Sequence, residues 1–110
     1  LFRSFSIVLL PYPFSDLQGT KIRPAIIISN NALNAKSEDC ILAPITSIIK
    51  QEPYSIIITN DDLENGHLVK ESRVRVDKLF AVKKSLIIKK FGILSSTKFK
   101  EVKVELENLF

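Results

Sequence analysis

One cysteine, one histidine and three glycines occur in 110 residues, and these scarcities remove several kinds of chemistry. A lone Cys40 cannot form an internal disulfide framework, and its place in the apolar run CILAPI reads as core rather than nucleophile. One His and one Cys far apart in sequence give no metal-ligand spacing, so neither a metal nor another cofactor is expected. There is no phosphate-cradling Gly-rich loop, no HExxH, no CxxC pair and no nucleophile elbow. No apolar run approaches the ~18 residues of a membrane span, and no secretory n-region precedes SIVLL. A soluble cytoplasmic protein, away from membranes, is the resulting expectation.

What is present is basic and β-rich. The length fits one domain over residues 1–110. A net charge of +4 and a pI near 9.3 lean toward anionic partners. Lys83, Lys84, Lys89, Lys90, Lys98, Lys100 and Lys103 make the last third locally basic, whereas DDLE at 61–64 is acidic. The many Ile and Val residues suit pleated surfaces. Short apolar runs between turns predict strands at about 5–10, 24–29, 40–46, 54–59, 72–77 and 86–91. AIIIS and CILAPI are apolar on both faces, so their strands should be central.

SRVRVD alternates instead. Val74 and Val76 point one way, and Arg73, Arg75 and Asp77 share the other face. The last fifteen residues change period: Phe99, Val102, Leu106 and Leu109 fall at helical spacing, with Ser95, Ser96 or Thr97 able to cap. An amphipathic C-terminal helix across a sheet follows. Asn65-Gly66 is a turn signal, and His67 just after it reads as a solvated loop residue.

Chemistry concentrates at strand ends. In PYPFSDLQGTKIRPA, residues 11–25, a polar loop separates two apolar runs, and Pro24 holds Arg23 in extended geometry. A guanidinium so placed can clamp phosphate through two hydrogen bonds, or simply decorate a strand entrance. Thr46 closes another buried run and is followed by Ser47. Its hydroxyl can donate to phosphate or cap its own turn. Arg75 can hold Asp77 ionised and oriented, or the two can form an ordinary surface pair.

IVLLPYPFSDLQGTKIRPAIIIS, with ILAPITS, SRVRVDKLFAV and FGILSSTKFKEVKVELENLF following in order, resembles the MazF/PemK family of type II toxins over nearly the whole chain. The resemblance implies a mainly β SH3-like barrel of the CcdB/PemK type with a C-terminal helix, forming a homodimer. It also implies metal-independent, sequence-specific cleavage of single-stranded RNA, inhibition by a cognate antitoxin, and DNA binding through the antitoxin complex. Carried over by position, Arg23 and Thr46 act on the scissile phosphate, Asp77 serves as base, and Arg75 serves as acid or charge stabiliser.

The loop His of some PemK members has no counterpart here. Ser15, Asp16 and Gln18 stand in its loop, so the identity of the base stays open. With those three, Tyr12, Lys21, Ser47, Tyr54 and Arg73 are the expected RNA contacts; Tyr12 and Tyr54 offer rings for base stacking. Two other activities fit the same fold: a CcdB-like toxin that poisons gyrase by protein contact, and a catalytically silent RNA-binding barrel.

Overall fold

The computed structural model describes residues 3–12 and 21–110. Its strands are β1 (Ser6–Tyr12), β2 (Lys21–Ile27), β3 (Asp39–Thr46), β4 (Ser55–Ile58), β5 (Leu63–Gly66), β6 (Ser72–Arg75), β7 (Phe80–Lys83) and β8 (Lys89–Leu94). Two helices join them, α1 (Asn31–Lys36) and α2 (Ser96–Leu109). All described pairings are antiparallel, in the order β4-β6-β3-β2-β1-β8-β5, with β7 also on β3. The sheet curves into a half-barrel with α2 against it.

β2 and β3 are interior strands, as their two-sided apolar composition requires. The side chains of β3 divide between two cores. Ala43 and Ile45 join Ile7, Ile26, Val74, Val76, Phe99 and Val102, while Cys40 and Leu42 join Val8, Leu10, Ala25, Ile27 and Ile87. Full burial of an aliphatic side chain of this size contributes about 1.5–3 kcal/mol, so both faces of these central strands help hold the fold together.

α2 begins where the sequence places it. The Ser95 hydroxyl accepts from Lys98 N–H at 3.2 Å, satisfying an otherwise unpaired donor of the first turn. Phe99 and Val102 are buried, and the Phe5 ring lies 3.8 Å from that of Phe99, centroid to centroid. No helix among the described residues is long and apolar enough to cross a membrane.

Several boundaries differ from expectation. The strand read at 86–91 runs from Lys89 to Leu94, because a 3₁₀ turn at Lys84–Leu86 occupies the approach and Ile87 drops into the second core. The strand read to residue 77 stops at Arg75 and passes into a 3₁₀ turn, Val76–Lys78. β5, β7 and α1 are additions. Each is short: α1 spans six residues, too few to display helical periodicity, and is fixed by Asn30, whose side chain accepts from Leu33 N–H at 2.9 Å. Asn65-Gly66 ends β5 rather than forming a free turn, with Gly66 at φ +92° against β8.

Candidate active site

A break in one ladder creates the cleft. β3 pairs with β6 at Ile45↔Val74 and Thr46↔Arg73, then with β7 from Leu42↔Phe80 to Asp39↔Lys83. Between these ladders the chain running from β6 to β7 inserts the three-residue 3₁₀ turn Val76–Lys78. Pro44 lies on the facing stretch of β3 and has no N–H with which to continue the ladder. The turn stays packed on the sheet through Val76, which is buried in the first core and whose N–H donates to the Tyr54 carbonyl, and it sets Asp77 beside Arg75.

On the other edge of β3, the register with β2 is Ala25↔Pro44, Ile26↔Ala43 and Ile27↔Leu42. Two residues beyond Ala25 toward the start of β2 lies Arg23, and two beyond Pro44 toward the end of β3 lies Thr46. By strand alternation both share the face of the Ala25↔Pro44 pair. Alternation along β6 puts Arg75 on that face too. Three strands thus deliver three side chains to one side of the sheet.

They line a cleft of about 560 Å³ formed by Arg23, Pro44, Ile45, Thr46, Arg75, Asp77, Lys78, Leu79 and Phe80. Its walls are of two kinds. Pro44, Ile45, Leu79 and Phe80 offer apolar surface; Arg23, Arg75 and Lys78 supply cations beside the Thr46 hydroxyl and the Asp77 carboxylate.

Each polar group has a defined state of use. Arg75 Nη2 donates to Asp77 Oδ2 at 3.2 Å, and the two side chains are 30% and 29% exposed. Arg75 Nε is buried with no hydrogen-bond partner among the described residues. Such a donor is costly to leave unsatisfied. Thr46 Oγ1 accepts from Ile48 N–H at 3.1 Å. That bond uses a lone pair and leaves the hydroxyl hydrogen free to donate elsewhere, so the turn-capping and donor readings of Thr46 are compatible. Arg23 is exposed, and no ion pair engages its guanidinium among the described residues.

Arg23, Thr46, Arg75 and Asp77, gathered from three separate sequence segments, are therefore brought together. Lys21 is exposed at the start of β2 on the same face as Arg23, and Ser47 is exposed directly after Thr46. Other expected contacts lie differently. Arg73 is 3% exposed and committed to Ile48 and Glu52 instead of opening into the cleft. Tyr54, at φ +61°, is half-buried against the first core, and its carbonyl accepts from Val76 N–H at 3.0 Å; it does not line the cleft. Tyr12 pairs through its backbone with Lys21, and its side chain lies outside the described residues. Ser15, Asp16 and Gln18 are outside them altogether. His67 is exposed after β5 and is no part of the cleft.

Lys78 and Phe80 were missed. Strict alternation carried the strand through residue 77, and only the 3₁₀ turn swings Lys78 into the cleft beside Asp77. The only trace of this in sequence is the charged pair Asp77-Lys78 interrupting an otherwise β-like stretch.

The protein-family profile described as "PemK-like, MazF-like toxin of type II toxin-antitoxin system" matches residues 3–110. The chain belongs to that family. Solved structures with the same fold as this PemK/MazF-like toxin include an endoribonuclease in complex with its cognate antitoxin from a mycobacterial species. It is 18% identical, with a TM-score of 0.79, over 98% of this chain and 93% of that one. MazF in the MazE–MazF complex (Form-II) of Deinococcus radiodurans is 20% identical, with a TM-score of 0.78, over 97% and 93%. The Mycobacterium tuberculosis toxin MazF-mt6 is 18% identical, with a TM-score of 0.72, over 92% and 93%. At these identities the likeness speaks to the fold. No curated protein matches by sequence.

Proposed function

We propose that this PemK/MazF-like toxin is an endoribonuclease that cuts single-stranded RNA by attack of the substrate's own 2′-OH. The observation carrying this reading is the convergence of Arg23, Thr46, Arg75 and Asp77 on one cleft whose remaining wall, Lys78 apart, is apolar. An RNA strand has the matching character, with a phosphate for the polar rim and an unstacked base for the apolar wall. Structural neighbours described as endoribonucleases support the same assignment.

In this mechanism Asp77 accepts the proton of the 2′-OH, and the 2′-oxygen forms a bond to the adjacent phosphorus. Negative charge grows on the non-bridging oxygens as the phosphorane forms. Arg23 and the free hydrogen of the Thr46 hydroxyl face that charge, and the Arg75 guanidinium adds its positive charge. Fixed donors aimed at developing charge commonly contribute more to catalysis than any other single effect. The bond to the 5′-oxygen then breaks, and that oxygen takes up a proton from water at the mouth of the cleft. The products are a 2′,3′-cyclic phosphate and a 5′-OH, and no step calls on a metal ion or other cofactor.

Arg75 acts here as orienter and charge stabiliser. A guanidinium does not give up its proton in proteins, so it is not the general acid. Lys21, Ser47 and Lys78 would extend phosphate contacts along the strand, and Tyr12, Ser15, Asp16 and Gln18 are proposed as further RNA contacts.

The toxin reading brings two partners. One is a second copy: Ile28, Ile41, Leu79, Leu106 and Phe110 border an apolar groove of about 540 Å³, and Leu79 belongs to groove and cleft alike. A homodimer seated there would place the two cleft regions close to the interface. The other is a cognate antitoxin, whose acidic, initially disordered segment would lie across the same cationic cleft and exclude RNA. Through that complex the pair would bind DNA. Incubating the purified protein with long single-stranded RNA and mapping the fragment ends tests the assignment.

A further inference from the structure

Thr46 and Arg73 face each other across the β3–β6 ladder, yet only Thr46 reaches the cleft. The Arg73 side chain is 4% exposed and lies beneath the segment that leaves Thr46. Its Nε donates to the Ile48 carbonyl at 3.2 Å, and its Nη1 donates to Glu52 Oε2, also at 3.2 Å. Ile48 is tied at both ends, because its N–H donates to Thr46 Oγ1 at 3.1 Å. A continuous set of polar links therefore runs from Glu52 through Arg73 and Ile48 to the Thr46 hydroxyl.

Apolar burial does not hold this segment. Ile48 and Ile49 are 61% and 41% exposed. Hydrogen bonds hold it instead: those of Arg73 to Ile48 and Glu52, that of the Ile48 N–H to Thr46, and that of the Ser55 hydroxyl to the Glu52 carbonyl. A planar guanidinium suits this use: its donors have fixed directions, and burial protects them from competition by water.

We propose that Arg73 is a positioning residue that sets the reactive orientation of Thr46 through Ile48. The proposal rests on the reading of Thr46 as a donor to the scissile phosphate. With one lone pair of Oγ1 held by the Ile48 N–H, the hydroxyl hydrogen is confined to the remaining directions, among them that of the cleft. Without Arg73, the Ile48 carbonyl loses its buried donor and the turn can shift. Displacements of ~1 Å can cost ~10²-fold in rate. Arg73 thus contributes to the reaction without touching RNA.

The test is a double-mutant cycle on the full chain, read by cleavage kinetics and by hydrogen exchange at the Ile48 amide. Arg73→Met keeps the apolar stem and should lower kcat by ~10–100-fold while KM changes by less than ~3-fold. In a Thr46→Val background the same substitution should cost almost nothing more, since the group it positions is already gone. Glu52→Gln retains the Nε bond to Ile48 and should give a smaller loss of the same kind; it carries the cycle if Arg73→Met does not fold. Exchange at the Ile48 amide should quicken in Arg73→Met.

A wild-type rate in Arg73→Met, a loss confined to KM, or full additivity with Thr46→Val would each overturn the proposal. If wild-type protein cuts no RNA, the functional reading fails. Faster Ile48 exchange in Arg73→Met would then still support the Arg73–Ile48–Thr46 linkage, and unchanged exchange would overturn it.

Discussion

Arg75 Nη2 donates to Asp77 Oδ2 at 3.2 Å across the step where β6 gives way to a 3₁₀ turn. As an element of stability this pair is minor. Its side chains are about one-third exposed, and partly exposed ion pairs contribute ~0–1 kcal/mol. As an orienting device it matters more, because it aims a carboxylate into the cleft that Arg23 and Thr46 also line.

Asp77→Asn should therefore reduce cleavage by ~10²-fold or more, as expected for loss of a general base. Its thermal stability should stay close to wild type. His67→Ala should cleave normally, since His67 lies outside the cleft. Normal activity in Asp77→Asn together with an inactive His67→Ala would reassign the base.

Arg23→Ala should separate chemistry from binding. Loss of one preorganised stabiliser of transition-state charge costs ~10²–10³ in rate. Affinity for a 2′-deoxy analogue should fall far less, because other cations, Lys21 and Lys78 among them, would share the phosphate contacts. Single-turnover cleavage and equilibrium binding at one fixed salt concentration make the comparison. Equal losses in both would show that Arg23 only binds.

The candidate cleft was legible in sequence wherever its residues obey strand alternation or precede a proline. Arg23 before Pro24 and Thr46 at the end of a buried run needed only strand geometry. Arg75 and Asp77 were read correctly as neighbours but for an incomplete reason: a continuous strand was expected, and a three-residue turn is what brings Asp77 back. Arg73 shows where alternation stops being informative. Period two gives the face of a side chain but not what folds over it, and residues 47–52 cover this one. β5, β7 and α1 were missed because segments of four to six residues with few buried side chains carry too little pattern.

Gly66 supplies a test of the fold itself. At φ +92°, an added Cβ would collide with the Phe91 carbonyl oxygen and with Gly92 Cα. Both obstacles are backbone and cannot rotate away. Gly66→Ala should destabilise by about 1–3 kcal/mol from the strained conformation alone, with the clash adding to this. Chemical denaturation measures it, and a loss below ~0.5 kcal/mol would show that β5 and β8 pair differently.

Cys40 should be inert in the folded protein. It is fully buried, and burial pushes its thiol pKa up, with Lys84 partly opposing the rise and Asp39 adding to it. The sign of the pH effect follows. Below the ordinary thiol pKa of ~8.5 the thiol is neutral in both states and its contribution to stability is intact. As pH rises toward and through the higher folded value, the unfolded chain ionises more readily and stability falls. Iodoacetamide should modify Cys40 only after denaturation; rapid modification of native protein would contradict this burial.

The most direct test of the central claim is to incubate the purified wild-type protein with a long single-stranded RNA in EDTA and determine the chemistry of the new ends. The mechanism predicts cuts at a recurring short sequence, each leaving a 2′,3′-cyclic phosphate upstream and a 5′-OH downstream. Strict dependence on a divalent ion, 5′-phosphate ends, or intact RNA at saturating protein would contradict it.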